Sequence, residues 1–335
     1  MKNIRKRWWL VAFLALLFLF LDTAMYIQIK SYYPDIWEKE EVEPMRAPAL
    51  DASQQRISQA LSSLKLNSRY IMVIDLADQQ VLYEKNSDKK IFPASLTKVL
   101  SGIVALDNAA DLQQKITITK KDVEGLKEAN ASVAGFVVGD TPTIEDLLYA
   151  LILPSGADSA NALGNHLNGS VSDFVEDMNQ KAIAMGMTNT HFQNPTGLHD
   201  KQHYTTLQDM KKMMDHAWKN LAFRKALTTL HYTIPSNEQH PEGLKLESTL
   251  LYYSKDLTFD GGEIIGGKSG FTPEAGYCLI SVAKMHDGKQ YMVISAKAEE
   301  LSSSESHGET IANYGSMTDA KAIYSTIANI RKKAT

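Results

Sequence analysis

The sequence predicts an α+β fold: an antiparallel sheet formed by both ends of the folded part, with a mainly helical subdomain packed against it. Three observations predict it. Strand-like runs joined by a short polar turn occur at 70–75 and 80–84, helical periodicity dominates 95–222, and strand composition returns between 232 and 298. Strands first, helices in the middle and strands last is the order of a segregated sheet and helix layer, not of alternating strand–helix units.

Taken in order, the chain begins with Lys2, Arg5, Lys6 and Arg7, then runs without a charge from Trp8 to Leu21 and on past Asp22 and Thr23 to Ala24-Met25-Tyr26-Ile27. A spanning helix needs about 20 mostly apolar residues, and a cleavable export signal ends in small residues just before the cut. Asp22-Thr23-Ala24 is a poor cleavage site. Residues 1–29 therefore read as an uncleaved signal anchor and not as a removed signal peptide, with the basic end cytoplasmic. A buried core helix is disfavoured because 8–21 has no polar face. Residues 30–52 read as an extracytoplasmic linker, since Pro34, Pro44 and Pro48 interleaved with Asp35, Glu38, Glu40, Glu41 and Glu43 resist collapse. The expected location is the cell membrane, with the rest of the chain outside it, or secreted if the signal is cleaved.

The folded domain is expected over 53–332. Helical spacing at 57–66 precedes the hairpin of 70–84. Helices are expected at 96–108, 144–153, 157–167, 171–185 and 207–221, and strands at 232–235, 263–269, 276–284 and 290–298. Asp287-Gly288 joins the last two strands as a tight turn, and a closing helix covers 318–332. With 335 residues, 44% hydrophobic and 22% charged, the chain suits a folded body and not a disordered or polytopic membrane protein. The net charge is −4; four basic groups and one acidic give 1–29 a charge of +3, which leaves −7 for the rest. Nucleic acid is excluded as a partner on that ground. The single cysteine, Cys278, excludes an internal disulfide and any multi-cysteine metal centre.

Ser95-Leu96-Thr97-Lys98 follows Phe92-Pro93-Ala94 and opens an apolar run from Val99. Ser95 is thereby placed at a helix start, with Lys98 one turn along on the same face. A hydroxyl needs a base, and a lysine in a water-poor site beside another cation gives up its proton readily enough to serve. The helix start adds N–H groups and positive potential for an oxyanion. The same spacing recurs at Ser62 and Lys65, Ser87 and Lys90, and Ser281 and Lys284, and a serine helix cap is a sufficient account of the tetrapeptide alone. Only Ser95 has the proline, the helix start and the turn spacing together.

Lys268-Ser269-Gly270, between Gly266-Gly267 and Phe271, is a second element. On a strand Lys268 and Gly270 point the same way, and glycine lets a substrate backbone approach. A cation and a hydroxyl suit a carboxylate, and the N–H of Phe271 can complete an oxyanion hole with that of Ser95. A glycine-rich bend with a solvated lysine is the plainer reading of the triplet alone. The third element, Leu153-Pro154-Ser155-Gly156-Ala157-Asp158, marks a corner between two helices, where a serine projects into a cleft or caps a helix. His199 and His203 have H-x-x-x-H spacing without an H-E-x-x-H, so no metal and no cofactor are expected.

In this order the three elements resemble the active-site serine penicillin-binding enzymes, and the surrounding sequence resembles their low-molecular-mass D-alanyl-D-alanine carboxypeptidase branch. Pro93-Ala94 before Ser95, Thr143-Ile144-Glu145-Asp146-Leu147-Leu148-Tyr149, the stretch 187–198 with Phe192, Asn194-Pro195 and Gly197-Leu198, and Ala275-Gly276-Tyr277-Cys278 all carry it. The resemblance covers about residues 53–330. It implies a β-lactamase/transpeptidase-like fold, peptidoglycan stem peptides as substrate and β-lactam antibiotics as inhibitors. It further implies that Ser95 attacks the penultimate D-alanyl carbonyl with Lys98 as base, that Ser155 relays a proton to the leaving D-alanine, and that Lys268 with Ser269 holds the terminal carboxylate beside Gly270 and Phe271. One position departs: Ala157 stands where an asparagine is usual. Asn161, one turn beyond, is the expected substitute amide, while Ser159-Ala160-Asn161 fits the pattern literally but falls inside a helix. Two other readings share these residues. A serine β-lactamase needs a glutamate-held water, for which no motif stands between Ser155 and Lys268, and a degenerate wall-peptide scaffold is kept open by Ala157.

Overall fold

Asp51 begins the fold in the computed structural model, which describes residues 49–306 and 309–333. Its carboxylate accepts from the Gln54 N–H at 2.7 Å while the Gln54 side chain accepts from the Asp51 N–H at 3.1 Å. This capping box starts α1 (Ala52–Ser62) five residues before the hydrophobic spacing at 57 would place it. The signal anchor expected at 1–29 and all but the end of the linker expected at 30–52 lie outside the described residues. Among the described residues no helix is long and apolar enough to cross a membrane.

The hairpin follows as β1 (Tyr70–Asp75) and β2 (Val81–Lys85). A 3-10 turn (Ala94–Thr97) then leads into α2 (Lys98–Asn108), α3 (Lys120–Val123), α4 (Ile144–Ile152), α5 (Ala157–Leu167) and α6 (Val171–Ala184). The helix expected at 207–221 is two, α7 (Leu207–Ala217) and α8 (Leu221–Leu227), because the Asn220 side chain accepts from the Ala222 and Phe223 N–H groups and starts a new helix. Next come β3 (His231–Ile234), β4 (Leu244–Glu247), α9 (Leu250–Tyr253), β5 (Thr258–Phe259), β6 (Gly262–Thr272), β7 (Gly276–Met285) and β8 (Gln290–Ala298). The strand expected at 232–235 is not part of the main sheet: β3 pairs with β4 alone. A hairpin that the sequence reading lacks, β9 (Glu300–Ser306) and β10 (Glu309–Tyr314), precedes α10 (Gly315–Lys332).

Six strands form the main antiparallel sheet in the order β2-β1-β8-β7-β6-β5, so a strand from the start of the folded part lies beside one from its end. Side chains alternate along each strand, and both faces are covered. In β1, Met72 and Ile74 enter the core shared with the helical part, while Ile71 and Val73 enter the core beneath α1 and α10. In β8, Met292, Ile294 and Ala296 face the first core, and Tyr291 and Val293 the second. Each of the valine, isoleucine and methionine side chains among them contributes about 1.5–3 kcal/mol on burial. The two ends are also tied by polar contacts, the Asp319 carboxylate of α10 accepting from the N–H groups of Asn67 at 2.9 Å and Ser68 at 2.6 Å.

The edge of this sheet positions the site. β5 pairs with β6 only at Glu263 and Gly262. Beyond that, among the described residues, β6 has β7 on one side and no strand on the other. The 3-10 turn carrying Ser95 packs there. A Cβ built on Gly270 would lie 2.8 Å from the Ser95 nitrogen and 3.2 Å from the Ala94 Cβ, so the approach needs a glycine.

Candidate active site

Ser95 lies on the 3-10 turn and not on the α-helix, whose first residue is Lys98. The tighter turn still brings the two together: Lys98 Nζ donates to Ser95 Oγ at 3.2 Å and to the Thr196 carbonyl at 2.6 Å. Lys98 is buried, and burial pushes its ammonium down to about 7, against the opposing pull of the Asp158 carboxylate. An amine so placed is a base at neutral pH.

Thr196 belongs to a loop shaped by one side chain. Asn194 Oδ1 accepts from the Thr196 and Gly197 N–H groups, and its Nδ2 donates to the Leu198 carbonyl. Ser101 Oγ of α2 donates to the Pro195 carbonyl at 2.7 Å and clamps the loop to the helix that bears Lys98.

Ser155 stands on the corner between α4 and α5 with φ +65°, a left-handed conformation costly for a residue with a Cβ. Its Oγ is buried and has no hydrogen-bond partner in the protein. Next to it, the Asp158 carboxylate accepts from the N–H groups of Ala134, Gly135, Phe136 and Ser159, and the Ala157 N–H donates to the Ser132 carbonyl at 2.8 Å. These bonds dock the 132–136 segment on the start of α5.

Ser95, Ser155, Ser269, Gly270 and Phe271 all line one cleft of about 890 Å³. Lys98 and Lys268 lie beneath it. Lys268 is wholly buried, its Nζ donating to the Ser269 carbonyl at 2.7 Å. Burial first, and the positive Lys98 second, hold its ammonium well below the ordinary lysine value. Of the residues expected to hold a substrate carboxylate, Lys268 does not itself line the cleft, whereas Ser269 does, with its Oγ donating to Thr249 Oγ1 at 2.7 Å. Phe271 is half exposed, with its ring against Tyr277 at 4.5 Å between centroids.

The expected substitute amide is elsewhere. Asn161 Nδ2 donates to the Asp122 carbonyl at 3.3 Å, on the α3 side of α5, and Asn161 does not line the cleft. The side-chain amide that does is Asn130, from the loop docked by Asp158. Sequence reading missed Thr249 and Asn130, which no local spacing links to Ser95. It also missed the Thr196 carbonyl, for which a backbone atom leaves no residue signal. The His199 and His203 spacing does not make a metal site. His203 Nε2 pairs with Thr97 Oγ1 at 2.7 Å, and among the described residues no group of three or more His, Cys, Asp or Glu is placed to hold a metal ion.

A buried lysine against a serine, where a helical subdomain meets the edge of an antiparallel sheet closed by both ends of the fold, is the architecture of the β-lactamase/transpeptidase-like serine enzymes. The chain belongs to the D-alanyl-D-alanine carboxypeptidase family, which it matches over residues 54–298. It is 30% identical over 252 residues to the D-alanyl-D-alanine carboxypeptidase DacF of Bacillus subtilis, covering 74% of this chain and 61% of that protein's length. It is 31% identical over 241 residues to the D-alanyl-D-alanine carboxypeptidase of Streptomyces sp. strain K15, covering 70% of this chain and 82% of the other. The crystal structure of the Streptomyces K15 DD-transpeptidase superposes with a TM-score of 0.63 at 28% identity, over 81% of this chain and 98% of that one. The D-alanyl-D-alanine carboxypeptidase of Mycobacterium tuberculosis does so with a TM-score of 0.64 at 25% identity, over 81% and 92%.

Proposed function

We propose that this protein is a serine-type D-alanyl-D-alanine carboxypeptidase, which removes the terminal D-alanine of peptidoglycan stem peptides through an acyl-enzyme on Ser95 and is acylated by β-lactams at the same atom. The observation that carries the reading is the 3.2 Å contact between Lys98 Nζ and Ser95 Oγ, with the lysine's proton affinity lowered by burial. Neutral Lys98 takes the Ser95 proton as Oγ bonds to the penultimate carbonyl carbon. The N–H groups of Ser95 and Phe271 hold the oxyanion. Collapse breaks the C–N bond, and the leaving amine takes up a proton through Ser155, whose unpartnered Oγ supports that role. Water then attacks the ester, Lys98 accepts its proton, and Ser95 Oγ is released as a hydroxyl. The open edge of β6 suits an extended peptide laid alongside Gly270 and Phe271. Ser269 and Thr249 meet the terminal carboxylate by hydrogen bonds, with Lys268 polarising the strand from below.

The same reading places the folded domain of 53–332 outside the cell membrane, tethered by an uncleaved anchor at 1–29 through the linker at 30–52; the basic cluster followed by the uncharged run from Trp8 to Leu21 supports this. Intact mass after addition of benzylpenicillin, beside D-alanine release from a stem pentapeptide, tests the function. A persistent adduct of wild type, absent from Ser95→Ala, with D-alanine released only by wild type, is the expected result. A short-lived adduct with drug consumed would replace the reading by a β-lactamase, and peptide binding with neither adduct nor release would replace it by a wall-peptide scaffold.

A further inference from the structure

The residue before the nucleophile is held from an unexpected direction. Ala94 has φ +48°, which residues with a Cβ rarely adopt. Its carbonyl oxygen is packed against Gly197, where an added Cβ would lie only 2.0 Å from it. The same oxygen accepts from Thr97 Oγ1 at 2.8 Å, and Thr97 Oγ1 lies 2.7 Å from His203 Nε2. On the other side of the imidazole, the Gln193 N–H donates to Nδ1 at 3.2 Å. That bond fixes the tautomer: Nδ1 carries the lone pair and Nε2 the proton. The chain of bonds therefore runs one way, from the Gln193 N–H to His203, from the Nε2 proton to Thr97, and from the Thr97 hydroxyl to the Ala94 carbonyl. His203 and Thr97 are each donor to one neighbour and acceptor from the other, an arrangement in which successive bonds strengthen one another.

His203 is buried, with Phe192 edge-on to its ring at 5.3 Å between centroids. Burial also pushes its pKa down to about 4, so the ring is neutral wherever Lys98 is a base. His203 does not line the cleft. Its effect on the site passes through the Ala94–Ser95 peptide. A peptide is planar, so fixing the Ala94 carbonyl fixes the Ser95 N–H on the opposite side of the same plane, together with the start of the Ser95 side chain. The stretch that supplies Gln193 also supplies Thr196, so one loop orients both the nucleophile and its base.

We propose that His203 is a positioning residue that aims Ser95 for acylation by holding the Ala94 carbonyl through Thr97. This rests on the reading of Ser95 as the acyl acceptor. The test is the rate of Ser95 adduct formation by the full chain over a range of benzylpenicillin concentrations, which separates non-covalent affinity from the acylation rate constant, with the final labelled fraction read by intact mass. Thr97→Val keeps the side-chain shape and removes both bonds. It is expected to lower the acylation rate constant about 10- to 100-fold, as small misplacements of reacting groups do. The non-covalent affinity stays within about twofold and labelling still goes to completion. Thr97→Ser recovers most of the rate, His203→Leu slows it as Thr97→Val does, and the double variant is no slower than either because both break one chain.

A Thr97→Val or His203→Leu protein that acylates at the wild-type rate would overturn the proposal. So would a loss seen only as a smaller labelled fraction at unchanged rate, which is the mark of partial unfolding, or a Thr97→Ser protein as slow as Thr97→Val. If His203→Leu does not fold, the two Thr97 variants decide. Failure of the wild type to form any Ser95 adduct would strike the underlying functional reading and take the proposal with it, an outcome distinct from all of these.

Discussion

Lys98 Nζ faces Ser95 Oγ at 3.2 Å while the Thr196 carbonyl, 2.6 Å away, accepts one of its protons. A carbonyl can keep that hydrogen bond whether the amine is charged or neutral, so the lysine stays in place as it titrates. With its pKa pushed down to about 7 by burial, the basic form grows in as pH rises through neutrality. Acylation by benzylpenicillin should therefore increase with pH about a midpoint near 7. Lys98→Met should lower the acylation rate about 10²- to 10⁴-fold, the usual share of a general base. A wild-type profile flat across neutrality would remove Lys98 from that role.

Asp158 works on Lys98 through its charge and on the cleft wall through its hydrogen bonds. Its carboxylate raises the lysine's proton affinity against burial, and it gathers the N–H groups of Ala134, Gly135 and Phe136. Asp158→Asn removes the charge and sets amide protons against those donors. Thermal unfolding should show a loss of about 1–3 kcal/mol, the cost of leaving buried donors unpaired. The acylation profile of the fraction that remains folded should shift to lower pH, since Lys98 loses the anion whose charge opposes the effect of burial. A midpoint that stays or moves upward would show that the carboxylate does not act on the base.

Lys268 has the opposite balance of stability and use. It is sealed beneath β6 with one carbonyl partner, and its folded pKa lies well below the ordinary lysine value. Between those two values the unfolded chain holds a proton that the folded chain has released, so this group makes stability rise with pH across that window, and its burial cost is greatest below it. Lys268→Met should raise stability by about 1–4 kcal/mol, as apolar replacement of a buried charge often does, with the gain over wild type shrinking as pH rises. D-Alanine release should fall in the same variant. A variant that is less stable at neutral pH would mean that the lysine is held by more than its single carbonyl bond.

How far the sequence carried the fold depended on how local each signal was. The strand Gln290–Ala298 was readable to the residue because a continuous apolar run, Tyr291-Met292-Val293-Ile294, follows the Asp287-Gly288 turn, as suits a strand buried on both faces. The break between α7 and α8 was hidden because Trp218 and Leu221 continue the apolar period, and only the capping geometry of Asn220 interrupts it. Within the site, Ser95 and Lys98 were legible because one turn of chain joins them, whereas Thr249 reaches Ser269 from twenty residues away. Asn161 shows the limit of helical spacing. One turn beyond Ala157 put it on the right helix, yet its amide is taken by the Asp122 carbonyl. Asn161→Ala should therefore leave acylation unchanged, and Asn130→Ala should slow it; equal rates in both would leave the cleft without a working amide.

Ser155 combines two features that substitutions can separate. Its backbone has φ +65° and its Oγ has no partner within the protein, so strain and a hydroxyl free of protein hydrogen bonds sit at one position. Ser155→Ala removes the hydroxyl and keeps the strain; Ser155→Gly removes both. If the hydroxyl relays the proton to the leaving group, the two variants should lose D-alanine release to the same extent, about 10²-fold or more for a proton-transfer group. Their stabilities should differ, the glycine variant exceeding the alanine variant by about 1 kcal/mol from relief of the left-handed backbone. Thermal unfolding and stem-pentapeptide turnover on the same preparations decide between the effects. A glycine variant that keeps near-wild-type turnover would show that Ser155 holds the corner for its neighbours and moves no proton, while an alanine variant as stable as the glycine one would show that the corner stores no strain worth relieving.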